Sequence, residues 1–318
     1  MIRRLWFSVA LATAIGLTLW LGGPWASESS VSNQANQANQ ANRASRPSRE
    51  IRSDRLRVSM VARYSHDGDA FTQGLLWHDG KLYETTGQYG RSRLRRWNLE
   101  TGEIEAEILL SPDLFGEGLA FVGARARASV GAGAGAGAGS LAGPRAGALT
   151  DRGAAPGGGG ELIWLTWKAG RAFRFDPDGF TNLGEFAYDG EGWGLTLCNG
   201  ELYRSDGSAT LWRHDPETFA VRGRLEVSRG GVAIALLNEL ECTPRGILAN
   251  IWQRDEIVRI DSLSGRVTAT IDAGGLLRAD ERRPEAVLNG IAYRPETDTL
   301  LLTGKHWPWL FEVVLEEM

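Results

Sequence analysis

Glu117 is the residue of this sequence best suited to acid–base chemistry, because it stands between two glycines, Gly116 and Gly118. Glycines let the backbone pack closely and leave the carboxylate facing an open channel. A carboxyl group near aromatic rings and away from bulk water has a raised pKa, which suits proton transfer near neutral pH. We therefore predict that Glu117 is catalytic; the alternative is a carboxylate that ties neighbouring structural units together through backbone amides.

Tryptophans and lysines supply the other candidates for a pocket. Lys168 and Lys305 follow predicted strands and could aim an ammonium at a developing oxyanion, or else be solvated loop charges. An aromatic lining suits a small, mostly uncharged group or an amine held over ring faces. Of the 12 tryptophans, four occupy strand starts or ends that can face such a pocket: Trp167, Trp193, Trp252 and Trp307.

Several other residues have a structural interpretation. Asp206 and Asn250 hold equivalent positions after two predicted strands, where hydrogen bonding to turn backbone is the favoured role. The tryptophans that alternate as core residues do are predicted to pack in the interior: Trp77, Trp97, Trp164 and Trp212.

Other kinds of site are poorly supported by the sequence. No His/Cys cluster has zinc spacing, and no Gly-x-Ser-x-Gly elbow is present. Gly190-Glu191-Gly192-Trp193-Gly194 fails the dinucleotide fingerprint, because Leu195 stands where its third glycine should be. What remains is a polar, aromatic pocket with one or two carboxylates, which suits a substrate that carries its own nucleophile. We expect no cofactor, although a structural ion in the channel stays open.

The elements that position these residues are predicted from a phrase that recurs five times: a polar residue or Trp, then Gly or Glu, then an aliphatic residue that starts a strand. A period of roughly 40–50 residues is the signature of a propeller. We predict an all-β fold, a five-bladed β-propeller whose central channel is ringed by the leading residues. The phrases are Gln73-Gly74-Leu75, Glu117-Gly118-Leu119, Trp193-Gly194-Leu195, Asn238-Glu239-Leu240 and Asn289-Gly290-Ile291.

Turn residues between the phrases predict hairpins of strands. His78-Asp79-Gly80 and Asn199-Gly200 lie between alternating runs, as hairpin turns do. We expect residues 51–70 to supply the outer strand that closes the fifth blade.

The chain divides into regions of different composition. Arg3 and Arg4 precede an apolar run, so residues 1–26 are predicted to be a signal peptide or a retained N-terminal membrane anchor, and both stay open. The Asn/Gln/Ala-rich residues 27–50 are a predicted disordered linker. Residues 51–318 form the predicted propeller, with a disordered Gly/Ala-rich insertion in blade two at 123–160. The body is expected to be periplasmic or extracellular, tethered to the membrane by residues 5–22 if the anchor is retained.

Charge and cysteine usage limit the partners. The formal net charge is -4 with no basic stripe, so no nucleic acid is expected as a partner. The two cysteines, Cys198 and Cys242, fall in inner strands of neighbouring blades, where we expect a Cα separation above the ~7 Å limit for a bridge. We predict two buried thiols rather than a disulfide.

The chain resembles the plant and bacterial type of glutaminyl-peptide cyclotransferase over about residues 58–315. The matching motifs are Phe71-Thr72-Gln73-Gly74-Leu75, Thr86-Gly87-Gln88-Tyr89-Gly90, Phe115-Gly116-Glu117-Gly118, Leu165-Thr166-Trp167-Lys168, Gly190-Glu191-Gly192-Trp193-Gly194-Leu195, Ser205-Asp206-Gly207-Ser208, Leu237-Asn238-Glu239-Leu240-Glu241, Ala249-Asn250-Ile251-Trp252-Gln253, Leu288-Asn289-Gly290-Ile291-Ala292 and Thr303-Gly304-Lys305.

That resemblance implies a five-bladed propeller that converts the N-terminal Gln of peptides or proteins into pyroglutamate and releases ammonia. It also implies that the enzyme is a monomer without a catalytic metal. The resemblance assigns proton transfer to Glu117, and Lys305 is a second catalytic candidate. The residues implied to bind the substrate are Phe71, Gln73, Trp167, Trp193, Asn238 and Asn289.

Two other functions compete with this interpretation. A propeller lactonase or hydrolase would hold a channel metal with carboxylates and Asn side chains, which Glu117, Asn238 and Asn289 could imitate. A non-catalytic propeller would bind proteins and would not turn over Gln-peptides.

Overall fold

The computed structural model describes residues 53–123 and 159–318. The predicted signal or anchor, the predicted linker and residues 124–158 of the predicted insertion lie outside the described residues. In the described ranges the one helix is a 3-10 turn, Ala279–Glu281, and no helix there has the length and apolarity needed to cross a membrane. The strands are β1 (Asp54–Ser65), β2 (Thr72–His78), β3 (Lys81–Thr86), β4 (Arg93–Trp97), β5 (Ile104–Leu109), β6 (Gly116–Gly123), β7 (Gly160–Thr166), β8 (Arg171–Phe175), β9 (Asn182–Ala187), β10 (Leu195–Cys198), β11 (Glu201–Arg204), β12 (Thr210–His214), β13 (Val221–Glu226), β14 (Ser228–Arg229), β15 (Val232–Ala233), β16 (Leu237–Thr243), β17 (Gly246–Ile251), β18 (Glu256–Ile260), β19 (Val267–Asp272), β20 (Leu288–Arg294), β21 (Thr299–Gly304) and β22 (Trp309–Glu317).

The strands form antiparallel meanders in chain order. Three four-stranded sheets contain β2 to β5, β6 to β9 and β10 to β13, and β14 pairs with β15 in a short hairpin. The remaining strands form an eight-stranded sheet in the order β16-β17-β18-β19-β1-β22-β21-β20. The fold is therefore all-β, and this arrangement is consistent with a propeller.

The strand β1 lies where an outer strand was expected from residues 51–70. It pairs antiparallel with β22, from Leu56 opposite Glu317 to Ser65 opposite Trp309. Its other edge pairs in parallel with β19, so β1 joins two meanders into the eight-stranded sheet.

The predicted hairpin turns are formed, with the backbone conformation that their residues favour. Asp79 and Gly80 have φ of 49° and 71°, and Asn199 and Gly200 have φ of 52° and 81°. Two successive positive φ values are what a two-residue type I′ hairpin needs, and Asp-Gly and Asn-Gly adopt them at little cost. These residues thus fix the register of the first two strands in their sheets.

The first strands of the meanders surround a common centre. β2, β6, β10, β16 and β20 contact one another in a closed cycle in that order. At these contacts the phrase glycines are required by space: a Cβ on Gly118 would lie 2.6 Å from the Leu195 amide nitrogen, and one on Gly74 would lie 2.7 Å from that of Leu119. The glycine in the phrase therefore marks the closest approach of neighbouring first strands.

The prediction of two free thiols is wrong, because Cys198 and Cys242 form a disulfide with a Cα separation of 5.5 Å. The two cysteines lie on β10 and β16, which are neighbouring first strands. Sheets that converge on a centre approach each other most closely at their first strands, and Thr196 of β10 accepts a hydrogen bond from the Cys242 amide at 3.1 Å. The close approach of the first strands β10 and β16 thus permits the bridge.

The two ends of the predicted insertion are adjacent in space. Gly123, the last residue of β6, pairs with Gly160, the first residue of β7. Glu117 lies at the opposite end of β6, about 20 Å away at ~3.3 Å per residue. The attachment points of the insertion therefore lie on the rim away from Glu117.

Candidate active site

Glu117 lies at the start of β6 with a fixed backbone and an unpaired side chain. Thr85 donates a hydrogen bond to the Glu117 carbonyl oxygen at 2.7 Å, and the Gly118 amide donates to the Trp193 carbonyl oxygen at 2.7 Å. The side chain is buried, and in the described ranges its carboxyl group has no hydrogen-bond partner. It does not tie units together through backbone amides, which was the alternative interpretation.

The electrostatic partner of Glu117 is Lys305, which follows β21 and is also buried. Burial raises the pKa of Glu117 well above its ordinary value; Lys305 opposes this rise and Glu191 adds to it. Burial lowers the pKa of Lys305 to about 8, although Glu117 and Glu285 act in the other direction. The Lys305 ammonium lies over the ring of Phe71, with Nζ 4.6 Å from the centroid. The site therefore holds a carboxyl group whose pKa is raised and an amine whose pKa is lowered.

The turn that carries Lys305 is in contact with a buried ion pair between His66 and Glu84. His66 Nε2 lies 3.0 Å from Glu84 Oε1, and His66 Nδ1 lies 2.8 Å from the carbonyl oxygen of Trp307. Burial lowers the pKa of His66, but Glu84, the Trp307 carbonyl oxygen and Asp67 together outweigh burial, and the net shift is upward. His66 belongs to no motif of the sequence, so its support for the Lys305 turn could not be predicted from residue pattern.

Aromatic side chains form the walls beside Glu117 and Lys305. Phe115 packs edge-on against Phe71 and Trp167, with centroid distances of 6.1 and 5.5 Å. Trp193 packs edge-on against Trp252 at 5.6 Å. Phe115 was part of a matched motif but was not selected as a site residue. Phe115 thus joins Phe71, Trp167, Trp193 and Trp252 in one group of aromatic side chains.

Amide side chains supply unused acceptors at the ring of first strands. Asn289 Nδ2 donates to the Thr72 carbonyl oxygen at 2.9 Å and to Gln73 Oε1 at 3.2 Å. Asn289 Oδ1 and Asn238 Oδ1 are buried and have no hydrogen-bond partner in the described part of the chain. Buried polar atoms are almost always paired, so two unpaired acceptors in one region indicate room for a donor from a ligand.

A cavity of about 530 Å³ opens beside Lys305, lined by Phe71, Trp252, Gln253, Lys305 and residues 282, 283 and 285–287. Three non-glycine residues at or next to this cavity have positive φ: Gln253 at 64°, Glu285 at 68° and His306 at 59°. Such backbone conformations persist only where surrounding contacts impose them, and they are concentrated at functional sites.

Not every candidate belongs to this site. Trp307 was expected to face the channel, but it is fully buried and packs edge-on against Phe311 in the hydrophobic core. Asp206 accepts hydrogen bonds from Ser208 and from Trp212, which is the structural role favoured from the sequence. Asn250 likewise accepts a hydrogen bond from the backbone amide of Gly290 at 3.0 Å.

Lys168 is an exposed loop residue whose Nζ lies 3.8 Å from the ring centroid of Trp167. Among the described residues there is no group of three or more His, Cys, Asp or Glu side chains that could hold a metal ion.

Comparisons with known proteins show which family the chain resembles. A profile of the family described as glutamine cyclotransferase matches residues 30–127 and 155–315. A glutaminyl-peptide cyclotransferase of Arabidopsis thaliana is 33% identical over 266 residues, which are 82% of this chain and 72% of the relative. The crystal structure of Myxococcus xanthus glutaminyl cyclase superposes with a TM-score of 0.68 and 34% identity, covering 84% of this chain and 99% of that one.

Proposed function

The chain belongs to the glutamine cyclotransferase family, and from this premise we propose how its pocket performs the reaction. The enzyme is a glutaminyl-peptide cyclotransferase: it converts the N-terminal Gln of peptides or proteins into pyroglutamate and releases ammonia. The observation that carries the proposal is the unpaired, buried carboxyl group of Glu117 beside buried Lys305.

The reaction closes a five-membered ring within the substrate. The α-amino nitrogen attacks the side-chain amide carbon, a C–N bond forms, and the bond from that carbon to the amide nitrogen breaks. One proton moves from the attacking nitrogen to the departing one, so that ammonia leaves. Because the attack is intramolecular, the protein need only fold the Gln side chain back and move the proton.

Glu117 carries that proton in the proposal. Its carboxylate takes the proton from the α-amine as the new bond forms, and the resulting acid gives it to the departing nitrogen. A raised pKa suits this double role, because the group must be a base in one step and an acid in the next. The absence of a hydrogen-bond partner among the described residues leaves both of its oxygens to the substrate.

Lys305 and the aromatic walls orient and stabilise the reacting amide. The Lys305 ammonium, charged below its pKa of about 8, would bind the amide oxygen as negative charge develops on it. Phe71, Trp167 and Trp193 would hold the folded side chain between their rings. The free Oδ1 atoms of Asn238 and Asn289 are hydrogen-bond acceptors and therefore suit substrate N–H groups.

The finer architecture is also part of the proposal. The closed cycle of five first strands supports a five-bladed propeller in which β20, β21, β22 and β1 form the fifth blade. We further propose that the body is exported and monomeric, attached to the membrane only if residues 5–22 are retained. A disulfide between Cys198 and Cys242 supports an oxidising compartment.

The test follows ammonia release from a Gln-initiated dipeptide by residues 51–318 and by the Glu117→Gln variant, with and without chelator. We expect chelator-resistant release from the wild type and a loss of about 10³-fold in the variant. No release by the wild type would overturn the function. Release that a chelator abolishes would favour a metal-dependent hydrolase, and full activity of the variant would overturn the role of Glu117.

A further inference from the structure

Glu191 joins the two tryptophans that flank the site, and no role has been assigned to it above. It lies between β9 and β10 in Gly190-Glu191-Gly192. Its Oε2 atom accepts the indole N–H of Trp167 at 2.7 Å and the indole N–H of Trp193 at 2.9 Å. One carboxylate oxygen therefore fixes two rings that come from different segments of the chain.

The other carboxylate oxygen faces a cation that also contacts one of the rings. Lys168 Nζ lies 3.6 Å from Glu191 Oε1 and 3.8 Å from the centroid of Trp167. Lys168 thus covers one face of Trp167 while Phe115 packs edge-on against the same ring. The Glu191 carboxylate is therefore paired with Lys168, and contacts with Lys168 and Phe115 hold the Trp167 ring in its orientation.

The backbone of the Glu191 segment is held by a buried guanidinium. Arg204 donates hydrogen bonds to the carbonyl oxygens of Glu191 and Asp189, the latter at 3.2 Å, and stacks on the ring of Tyr188. The Gly192 amide donates to the Trp167 carbonyl oxygen at 2.9 Å. The backbone that carries the Glu191 carboxylate is therefore held rigidly, as is required of a group that positions other side chains.

We propose that Glu191 is a positioning residue: it sets the angle and spacing of Trp167 and Trp193, and so shapes the slot in which the substrate amide is held against Glu117. This inference rests on the proposed function. Glu191 acts through the two indoles and does not itself touch the reacting atoms.

If Glu191 only supported the fold, its removal would leave the pH dependence of kcat/KM unchanged. Because Glu191 lies near Glu117, we expect its removal to change that pH dependence. The ionisable groups that face Glu117 are Lys305, Glu191 and Tyr188. Of these, Glu191 places a second negative charge near Glu117 and so raises the pKa of Glu117. Removing this charge should move the acidic limb of the kcat/KM profile to lower pH, in addition to any loss from misplaced rings.

The experiment compares Glu191→Gln with wild type on a Gln-initiated dipeptide, with Glu185→Gln as the matched control. Glu185 is an exposed carboxylate on β9 that pairs with Arg171, so its neutralisation changes the same net charge away from the site. We expect kcat/KM to fall about 10- to 100-fold in Glu191→Gln, with a raised KM, because small displacements of positioning groups are costly. Its acidic limb should move to lower pH, and Glu185→Gln should match the wild type in both respects.

A double-mutant cycle separates action through the ring from a direct effect. Trp167→Phe keeps a ring but loses the N–H that Glu191 accepts, so Glu191→Gln/Trp167→Phe should be no worse than Glu191→Gln alone. Additive losses, or wild-type kinetics and an unmoved acidic limb in Glu191→Gln, would overturn the inference. If Glu191→Gln does not fold, Trp167→Phe and Trp193→Phe decide instead: both should show a raised KM, and wild-type KM values in both would overturn it. Because wild-type turnover and Glu117→Gln are measured alongside, failure here remains distinct from failure of the proposed function.

Discussion

Two buried glutamates on neighbouring positions of the repeated phrase have opposite surroundings. Glu239 occupies the glycine position of its phrase, and its carboxyl group accepts backbone N–H groups from Leu75 at 3.4 Å and from Ile291 at 2.9 Å. Glu117 occupies the leading position, and in the described residues its carboxyl group accepts none. Glu239 therefore links the first strands β2, β16 and β20, whereas Glu117 faces Lys305 and the aromatic walls.

The pKa direction alone does not separate these two groups. Burial raises the pKa of Glu239 well above its ordinary value, with a further rise from Glu241, just as burial raises that of Glu117. What differs is the set of partners: the oxygens of Glu239 are used by the fold, and those of Glu117 are left for a substrate. A carboxyl group with a shifted pKa is a catalytic candidate only when its oxygens are not already hydrogen-bonded within the protein.

The largest expected effect is the loss of activity when the Glu117 carboxyl group is replaced by an amide. Glu117→Gln should lower kcat/KM by about 10³-fold, since proton transfer by a positioned group contributes 10²- to 10⁴-fold. Its free energy of unfolding should not fall, because the described structure loses no hydrogen bond and one buried ionisable group disappears. Ammonia release and urea unfolding measure the two quantities, and a clear loss of stability would show that Glu117 also supports the fold.

The next largest effect is expected at Glu239, where a substitution should lower stability rather than activity. Glu239→Leu leaves the amides of Leu75 and Ile291 without their acceptor, and each unpaired buried group costs about 1–3 kcal/mol. We expect the free energy of unfolding to fall by about 3 kcal/mol. The kcat of the folded protein should change less than about tenfold, since Glu239 does not touch the proposed substrate site. Urea unfolding and steady-state kinetics measure both, and Glu185→Gln serves as the surface control; unchanged stability would contradict the structural role.

A smaller effect concerns Glu241, two residues along β16. Burial raises its pKa to about 8, against the backbone N–H groups of Tyr293 and Cys242, from an ordinary value of 4.5. Between these values the folded state holds a proton that the unfolded state does not. The stabilisation is therefore fully present below pH 4.5 and is lost as the pH rises to about 8.

The measurement is urea unfolding of wild type and Glu241→Gln at several pH values between 5 and 8. The wild type should lose about 1 kcal/mol more per pH unit than the variant over this window. Parallel pH profiles would show that Glu241 does not titrate in the folded protein in this range.

The smallest expected effect is the dependence of kcat/KM on the protonation of Lys305. This residue is the charged partner of Glu117, and Glu239 has no such partner. Because the pKa of Lys305 is lowered to about 8, kcat/KM should fall about fivefold between pH 8 and pH 9 as the ammonium is lost. Lys305→Arg should keep its charge and remove this decline, at a lower plateau because guanidinium geometry differs. A basic limb that is unchanged in Lys305→Arg would assign it to another group.

Local chemistry made much of the fold predictable. Asp79-Gly80 and Asn199-Gly200 determine their turns by backbone preference, and the phrase glycines mark the first strands because a side chain there would clash with the next strand. The prediction for Glu117 likewise came from local sequence, because its flanking glycines are visible there. Glu191 has glycines on both sides as well, and this pattern was the available signal for it.

What the sequence could not supply was distance between segments far apart in the chain. The disulfide was missed because the approach of β10 to β16 depends on how strongly neighbouring sheets converge, which residue spacing does not encode. The partners of Glu239 lie on β2 and β20, 164 and 52 residues away, so its role becomes visible only when the ring is closed.

The pairing of β1 with β22 has a consequence for how the protein is made. Leu56 lies opposite Glu317, and the Met318 amide donates to the Arg55 carbonyl oxygen at 3.0 Å, so the first described strand pairs with the last. While the chain is being synthesised, β1 lacks its antiparallel partner, and long-range closure of this kind is slow because it carries a large loop-entropy cost. Nascent chains that stop before residue 309 therefore keep an unpaired β1 edge open to association with other chains.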